Sequence, residues 1–329
     1  MIKSSTANTV PMQLRRILVK NSYLLALLLL IIAVLINYLL QPNFFLPGVL
    51  NGNLQTYLPL LLLAVGQAII IVGGGIDLSI GSIVSLTNVI VVHALGNQSS
   101  PSQIALAIVL GLLAGLLAGA FNGFCVAYLR FQPIITTFAT SFVFLGLAEW
   151  VMPSPGGTVP ADLANLYTSN PLGISFMIWV IAIVLILWGI LRSTRFGPYL
   201  YAVGGRPMSA YQTGVPVSFV RLSSYALGGL MAGMAGLALA LTTGSGDPLI
   251  GSPMTLDSIT AVVLGGTRLS GGQGGILGSI LGVLILGVIR SIISFANVPT
   301  WWQTLVNGII VILALAGPGL VSLIRRQRA

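Results

Sequence analysis

Ten apolar segments follow one another along the chain, at about 22–40, 56–73, 77–95, 103–129, 133–152, 172–191, 218–242, 254–266, 275–294 and 301–322. The hydrocarbon core of a bilayer is crossed by about 20 apolar residues in helical form. Inside it, every backbone N–H and C=O has to find its partner within the protein. Repeated segments of this length leave one fold class: an all-α polytopic membrane protein of about ten transmembrane helices. The eighth segment is short for a full crossing, and the fourth is long enough to tilt. With 56% hydrophobic and only 6% charged residues, the chain has too few charges to cover a soluble domain of 329 residues.

The few charges are informative by where they fall. Lys3, Arg15, Arg16, Lys20, Arg130, Arg192, Arg195, Arg206, Arg221, Arg268, Arg325, Arg326 and Arg328 all lie on one side when the segments are threaded alternately. Loops on the other side hold only the acids Asp162 and Asp247. This is the positive-inside pattern, and it places both termini in the cytoplasm. Arg290 is the one basic residue within a segment. The net charge of +9 is then an orientation signal spread between spans, not a stripe for nucleic acid. Residues 1–21 read as a cytoplasmic segment, 22–324 as a single membrane domain and 325–329 as a basic cytoplasmic tail. The apolar run from Ser22 is too long for a cleaved signal peptide and is read as a retained span.

Within the membrane domain, glycine sets the packing. Gly111, Gly115, Gly119 and Gly123 recur every fourth residue, which gives one helix a face that another backbone can approach. At "VGGGIDLSIGS", Gly73, Gly74 and Gly75 predict a sharp turn at the cytoplasmic end of the second span. Asp77 then caps the third span by accepting from the free N–H groups near Ser79, a reading preferred over proton or substrate coupling. A shorter echo places Asp257 and Ser258 at the start of the eighth segment. One acid starts a helix running outward and the other a helix running inward. An inverted repeat relating spans 2–5 to 7–10 predicts that arrangement.

The longest cytoplasmic loop is 192–217, within which Pro207 to about Thr213 reads as a short helix ended by Gly214. It is too small for a catalytic domain and suits contact with a cytoplasmic partner. Uncharged polar residues inside spans, among them Gln67, Thr87, Asn88, Asn122, Thr137, Ser141 and Asn307, fit helix–helix hydrogen bonding or a neutral translocation path. The chain lacks GxxxxGK[ST], so it has no Walker nucleotide site. One cysteine, Cys125, and one histidine, His93, exclude disulfides and multi-His or Cys-based metal sites.

Three blocks, "GGGIDLSIGS", "FGPYLYAVGGRPMSAYQTGV" and "LDSITAVVLGGTRLSGGQGG", together resemble the permease subunits of ribose-type sugar ABC importers. The likeness runs in order along nearly the whole chain. It departs from the family's usual pattern at Arg206, where "GGN" is typical, and at Thr255, where Glu is frequent. The resemblance implies a bacterial inner-membrane subunit that forms the path for a monosaccharide. It implies a second permease chain in a homo- or heterodimer, an extracytoplasmic sugar-binding protein and a cytoplasmic ATPase that holds the ATP and Mg. This chain itself would bind no cofactor or metal and would have no catalytic residue. The family's coupling segment maps onto Gly197, Gly204, Gly205, Arg206, Pro207, Met208, Ala210 and Gly214. The competing readings are a self-sufficient carrier or channel for a small polar solute, and an integral-membrane enzyme, which the missing catalytic constellations disfavour.

Overall fold

The computed structural model describes residues 23–96 and 100–296, with positions 299, 302, 305, 308, 309 and 312 beyond them. Residues 1–21, the basic tail and most of the tenth apolar segment lie outside the described residues, Asn307 among them. The helices are α1 (Tyr23–Leu40), α2 (Pro47–Val72), α3 (Ile80–Leu95), α4 (Pro101–Ala127), α5 (Pro133–Val151), α6 (Ala161–Thr168), α7 (Phe176–Ser193), α8 (Phe196–Gly205), α9 (Pro207–Gln212), α10 (Val217–Thr243), α11 (Met254–Leu264) and α12 (Ile276–Phe295). Among the described residues, seven are long and apolar enough to cross a bilayer: α1, α2, α4, α5, α7, α10 and α12. The third and eighth segments form shorter helices of 16 and 11 residues, α3 and α11.

Helix starts follow local chemistry. α2, α4, α5 and α9 begin with Pro, whose missing N–H is no loss in a first turn. Ser100 and Gln103 close a reciprocal capping box at α4. α2 starts nine residues before the expected 56 because the polar stretch around Asn51, Asn53 and Gln55 continues the helix instead of looping. Pro59 inside it cannot donate to the Gln55 carbonyl. That carbonyl accepts from the Tyr167 hydroxyl instead, at 2.9 Å. The short helix α6, which carries Tyr167, thereby repairs a backbone defect that lipid would not tolerate.

α2 is the axis of the bundle. Every residue from Leu58 to Val72 is buried, against α10, α11 and α12. α10 also packs closely along α4. There, a Cβ added at Gly115 would strike the Gly229 carbonyl, and one at Gly119 the Tyr225 carbonyl. The glycine stripe is what brings the two backbones together. α1 sits at the edge on α12, and only Ala26, Ala33 and Asn37 of it are buried.

Candidate functional site

The segment expected as a loop with one short helix contains two. α9 covers Pro207–Gln212, but α8 precedes it over Phe196–Gly205 and is anchored: Gly197, Leu200, Val203 and Gly204 are buried. The apolar spacing of Leu200 and Val203 was the signal for that missed helix. Its far end is held between the end of α2 and the Gly271–Gly272 loop that follows α11, two helices that end in matching turns. α2 ends with Gly73 at φ −71° and Gly74 at φ +82°, and α11 ends with Gly265 at φ −68° and Gly266 at φ +83°. Both close with the same pair of backbone bonds. Gly74 donates to Ile71 at 2.9 Å and Gly75 to Ile70 at 3.0 Å. Gly266 donates to Val263 at 2.9 Å and Thr267 to Val262 at 3.1 Å. A positive φ at the second glycine is what lets each helix end this way.

Gly204 fills the gap between the first of these turns and the loop at Gly271 and Gly272. A Cβ there would collide with the Val72 carbonyl and lie 2.7 Å from the Gly272 nitrogen. Gly272 itself donates to the Val72 carbonyl at 2.9 Å, and the Tyr201 hydroxyl to that of Gly274 at 3.0 Å. The residues expected to couple therefore divide by burial. Gly197, Gly204 and Ala210 are interior, whereas Gly205, Arg206, Pro207, Met208 and Gly214 are exposed. On α9, Met208 and Tyr211, one turn apart, are 71% and 70% exposed, so a large apolar pair stands out from a firmly seated base.

The two short helices meet first turn to first turn inside the bundle. The Gly81 N–H donates to Thr255 Oγ1 at 3.1 Å, and that of Gly251 to Ser85 Oγ at 2.9 Å. Gly265 lies against Gly278 and Ala261 against Gly282, so α11 and α12 run antiparallel in close register. Thr255 is ten residues before Gly265, about 15 Å away along the helix. The start of α11 therefore lies deep within the protein and not at an interface.

The two acids at these starts differ. Asp77 is fully buried and precedes the formal cap position, Ser79, which makes no cap bond of its own. Asp77 Oδ1 accepts from the Ser79 N–H at 2.7 Å and from its hydroxyl at 2.6 Å. Asn122 Nδ2 donates to Ser79 Oγ at 2.7 Å and more distantly to Asp77 Oδ2, at 3.4 Å. Thr140 donates to Asn122 Oδ1 at 2.8 Å, while Thr137 Oγ1 accepts from the Leu78 N–H at 3.0 Å. Three segments are thus knotted around one carboxylate, and no cation pairs with it among the described residues.

Asp257 is not a cap. α11 begins at Met254, so Asp257 lies inside its first turn, and its Oδ2 pairs with Arg290 Nη2 of α12 at 2.6 Å. Ser258 bonds back to the Thr255 carbonyl. Sequence reasoning noted Arg290 as the lone in-span cation but gave it no partner; a charge within a span asks for an opposite one.

The polar residues proposed as a path separate in the same way. Thr87 and Asn88 tie α3 to α10 through the Ala232 and Gly236 carbonyls, and Asn88 Oδ1 also accepts from the Asp247 N–H. Asn122 and Thr137 belong to the Asp77 knot. Ser141 is only half-buried and bonds back to Phe138 of its own helix. Gln67 is fully buried, and neither atom of its amide has a partner. No cluster of metal-binding side chains occurs among the described residues.

A family model described as "Branched-chain amino acid transport system / permease component" matches residues 50–315. The chain is 35% identical to the ribose import permease protein RbsC of Escherichia coli K12, over 91% of this chain and 93% of the relative. It is 37% identical to the same-named protein of Bacillus subtilis 168, over 87% and 89%. The L-arabinose ABC transporter permease protein AraH of Azospirillum brasilense is 33% identical, over 83% and 80%. No solved structure matches. Matched over so much of both chains, this protein belongs to the family of permease components of ribose-type sugar ABC importers.

Proposed function

We propose that the chain forms the path for a ribose-like monosaccharide across the bacterial inner membrane, with both termini in the cytoplasm. A second permease chain completes the channel, and an extracytoplasmic binding protein delivers the sugar. A separate cytoplasmic ATPase carries the ATP and Mg. The observation that carries this reading is the exposed Met208–Tyr211 pair on α9, standing on a buried α8. An apolar pair beside Arg206, on a side otherwise marked by cations, fits a groove on a soluble partner.

The same geometry gives the coupling a route. Movement of α9 is passed to α8, and Gly204 is wedged between the end of α2 and the Gly271–Gly272 loop, which joins α11 to α12. A push there shifts the central helix and that loop together, because packed backbones without side chains between them leave no slack. Sequence alternation of Lys and Arg supports the orientation.

The test is purification of the tagged chain in mild detergent with mass spectrometry of what accompanies it. An ATP-binding subunit is expected with the wild type. It is expected to be lost from Met208→Ala/Tyr211→Ala while the chain inserts normally, with sugar uptake falling at least tenfold. A chain that repeatedly purifies alone and transports in vesicles without ATP overturns the reading.

A further inference from the structure

A second feature lies at the opposite end of α2. A half-open cleft of about 290 Å³ runs between α2 and α12, lined by Asn53, Thr56, Tyr57, Arg290, Ser291 and Ser294, with Leu60 and Val283 below them. That volume is at the small end of the range for small-molecule sites. Thr56 Oγ1 donates to the Gly52 carbonyl at 3.0 Å and Ser291 Oγ to Gln41 Oε1 at 3.5 Å, while other polar groups keep donors to spare. The Asn53 amide nitrogen is buried without a partner. Arg290 spends one nitrogen on Asp257, and a guanidinium has five N–H donors. The Tyr57 ring is seated against the α12 backbone because position 287 is glycine; a Cβ there would lie 2.7 Å from ring carbons.

The cleft is polar but carries no excess charge, since Arg290 and Asp257 cancel. That disfavours an ion, which calls for a net opposite charge or a ring of carbonyls. Hydroxyl, amide and guanidinium groups beside the faces of Tyr57, Leu60 and Val283 match a molecule with hydroxyls around an apolar carbon frame. Asn53, Leu60 and Gln67 recur at seven-residue spacing on α2, and so lie on nearly one face of it. The fully buried, unpartnered Gln67 amide is therefore about 10 Å below the cleft floor on the same line.

We propose that this cleft is a binding site for a polyhydroxylated solute, with Arg290 donating to solute hydroxyls while Asp257 holds the guanidinium in place. Gln67 is the next polar group such a solute meets on moving inward. The proposal rests on the importer reading for its orientation, the cleft opening away from α8 and α9 and so to the outside.

The single native cysteine, Cys125, is buried, so the wild-type chain serves as the unlabelled control. Ser294→Cys, in the chain expressed with its partner subunits, is treated in intact cells with a membrane-impermeant maleimide. The probes are D-ribose, D-xylose, L-arabinose and D-galactose. Labelling from outside is expected, slowed at least threefold by one of these sugars. Arg290→Gln in the same background should remove the slowing and leave labelling intact. Ser291→Cys is the second reporter if the first variant does not insert. No labelling, labelling indifferent to every sugar, or protection unchanged by Arg290→Gln overturns the proposal. Uptake by the wild type separates the two readings. Uptake without protection sinks the cleft and leaves the importer standing, whereas protection without ATP-dependent uptake does the reverse.

Discussion

Asp77 and Asp257 look alike on the page of sequence and are opposites in the folded chain. Each precedes or opens a short helix, and the first turns of those helices meet at Gly81 and Thr255. Asp77 is sealed in a neutral knot made by Ser79 and Asn122, with Thr140 behind them. Asp257 sits at a cleft and shares its charge with an arginine that is 43% exposed. Position at a helix start accounts for the bonds Asp77 accepts from Ser79 and for nothing at Asp257. What separates the two acids is what other segments bring: the Asn122 amide of α4 in one case, a cation from α12 in the other.

The comparison breaks most sharply at Asp77. Asp77→Leu strands the Ser79 N–H and the Ser79 hydroxyl hydrogen, at about 1–3 kcal/mol for each buried group left unpaired. Near-complete loss of monodisperse protein in detergent is expected, as measured by size-exclusion chromatography with a fluorescent tag. Asp77→Asn keeps one acceptor oxygen and should fold, with a Tm lower by several degrees. Wild-type yield from Asp77→Leu would show that the knot holds nothing together.

At Asp257 the expected effect is smaller, because the pair is partly exposed. Asp257→Ala should lower stability by about 1 kcal/mol, and Asp257→Ala/Arg290→Ala by less than the sum of the single changes. Thermal unfolding of the four proteins of the cycle measures this. Strict additivity would mean that the 2.6 Å contact carries no coupling. Ser141→Ala is the control at the low end. Its hydroxyl serves only its own helix, so a change within about 0.5 kcal/mol is expected in the same assay. A large loss of uptake from it would return Ser141 to the path.

Much of this organisation was legible in the chain. The turn at Gly73 and Gly74 and the short helix at Pro207 follow from residues whose backbone preferences are strong and local. Other features were hidden for definite reasons. α8 was masked because a buried amphiphilic helix among arginines reads as loop. The early start of α2 was masked because Asn51, Asn53 and Gln55 look like loop residues until Pro47 is seen to open a helix. The echo of "GGGIDLS" was traced through Asp77 and Asp257, whereas the matching backbone lies in the glycine pairs 73–74 and 265–266.

Sequence alone marked the segments that form the seven helices long and apolar enough to cross a membrane, since the bilayer imposes a length and a polarity that any segment must meet. It did not determine which crossings form the centre. α1 is a nearly unbroken run of Leu, Ile and Ala and lies at the rim, while α2, with Gly66, Gln67 and Pro59 in it, is enclosed along fifteen consecutive residues. Lipid tails are as apolar as leucine, so hydrophobicity cannot draw one span inward past another. That choice was made by close backbone approach, as at Gly66 against Gly228, and by polar groups that needed partners from elsewhere in the chain. Only the tertiary structure supplies those.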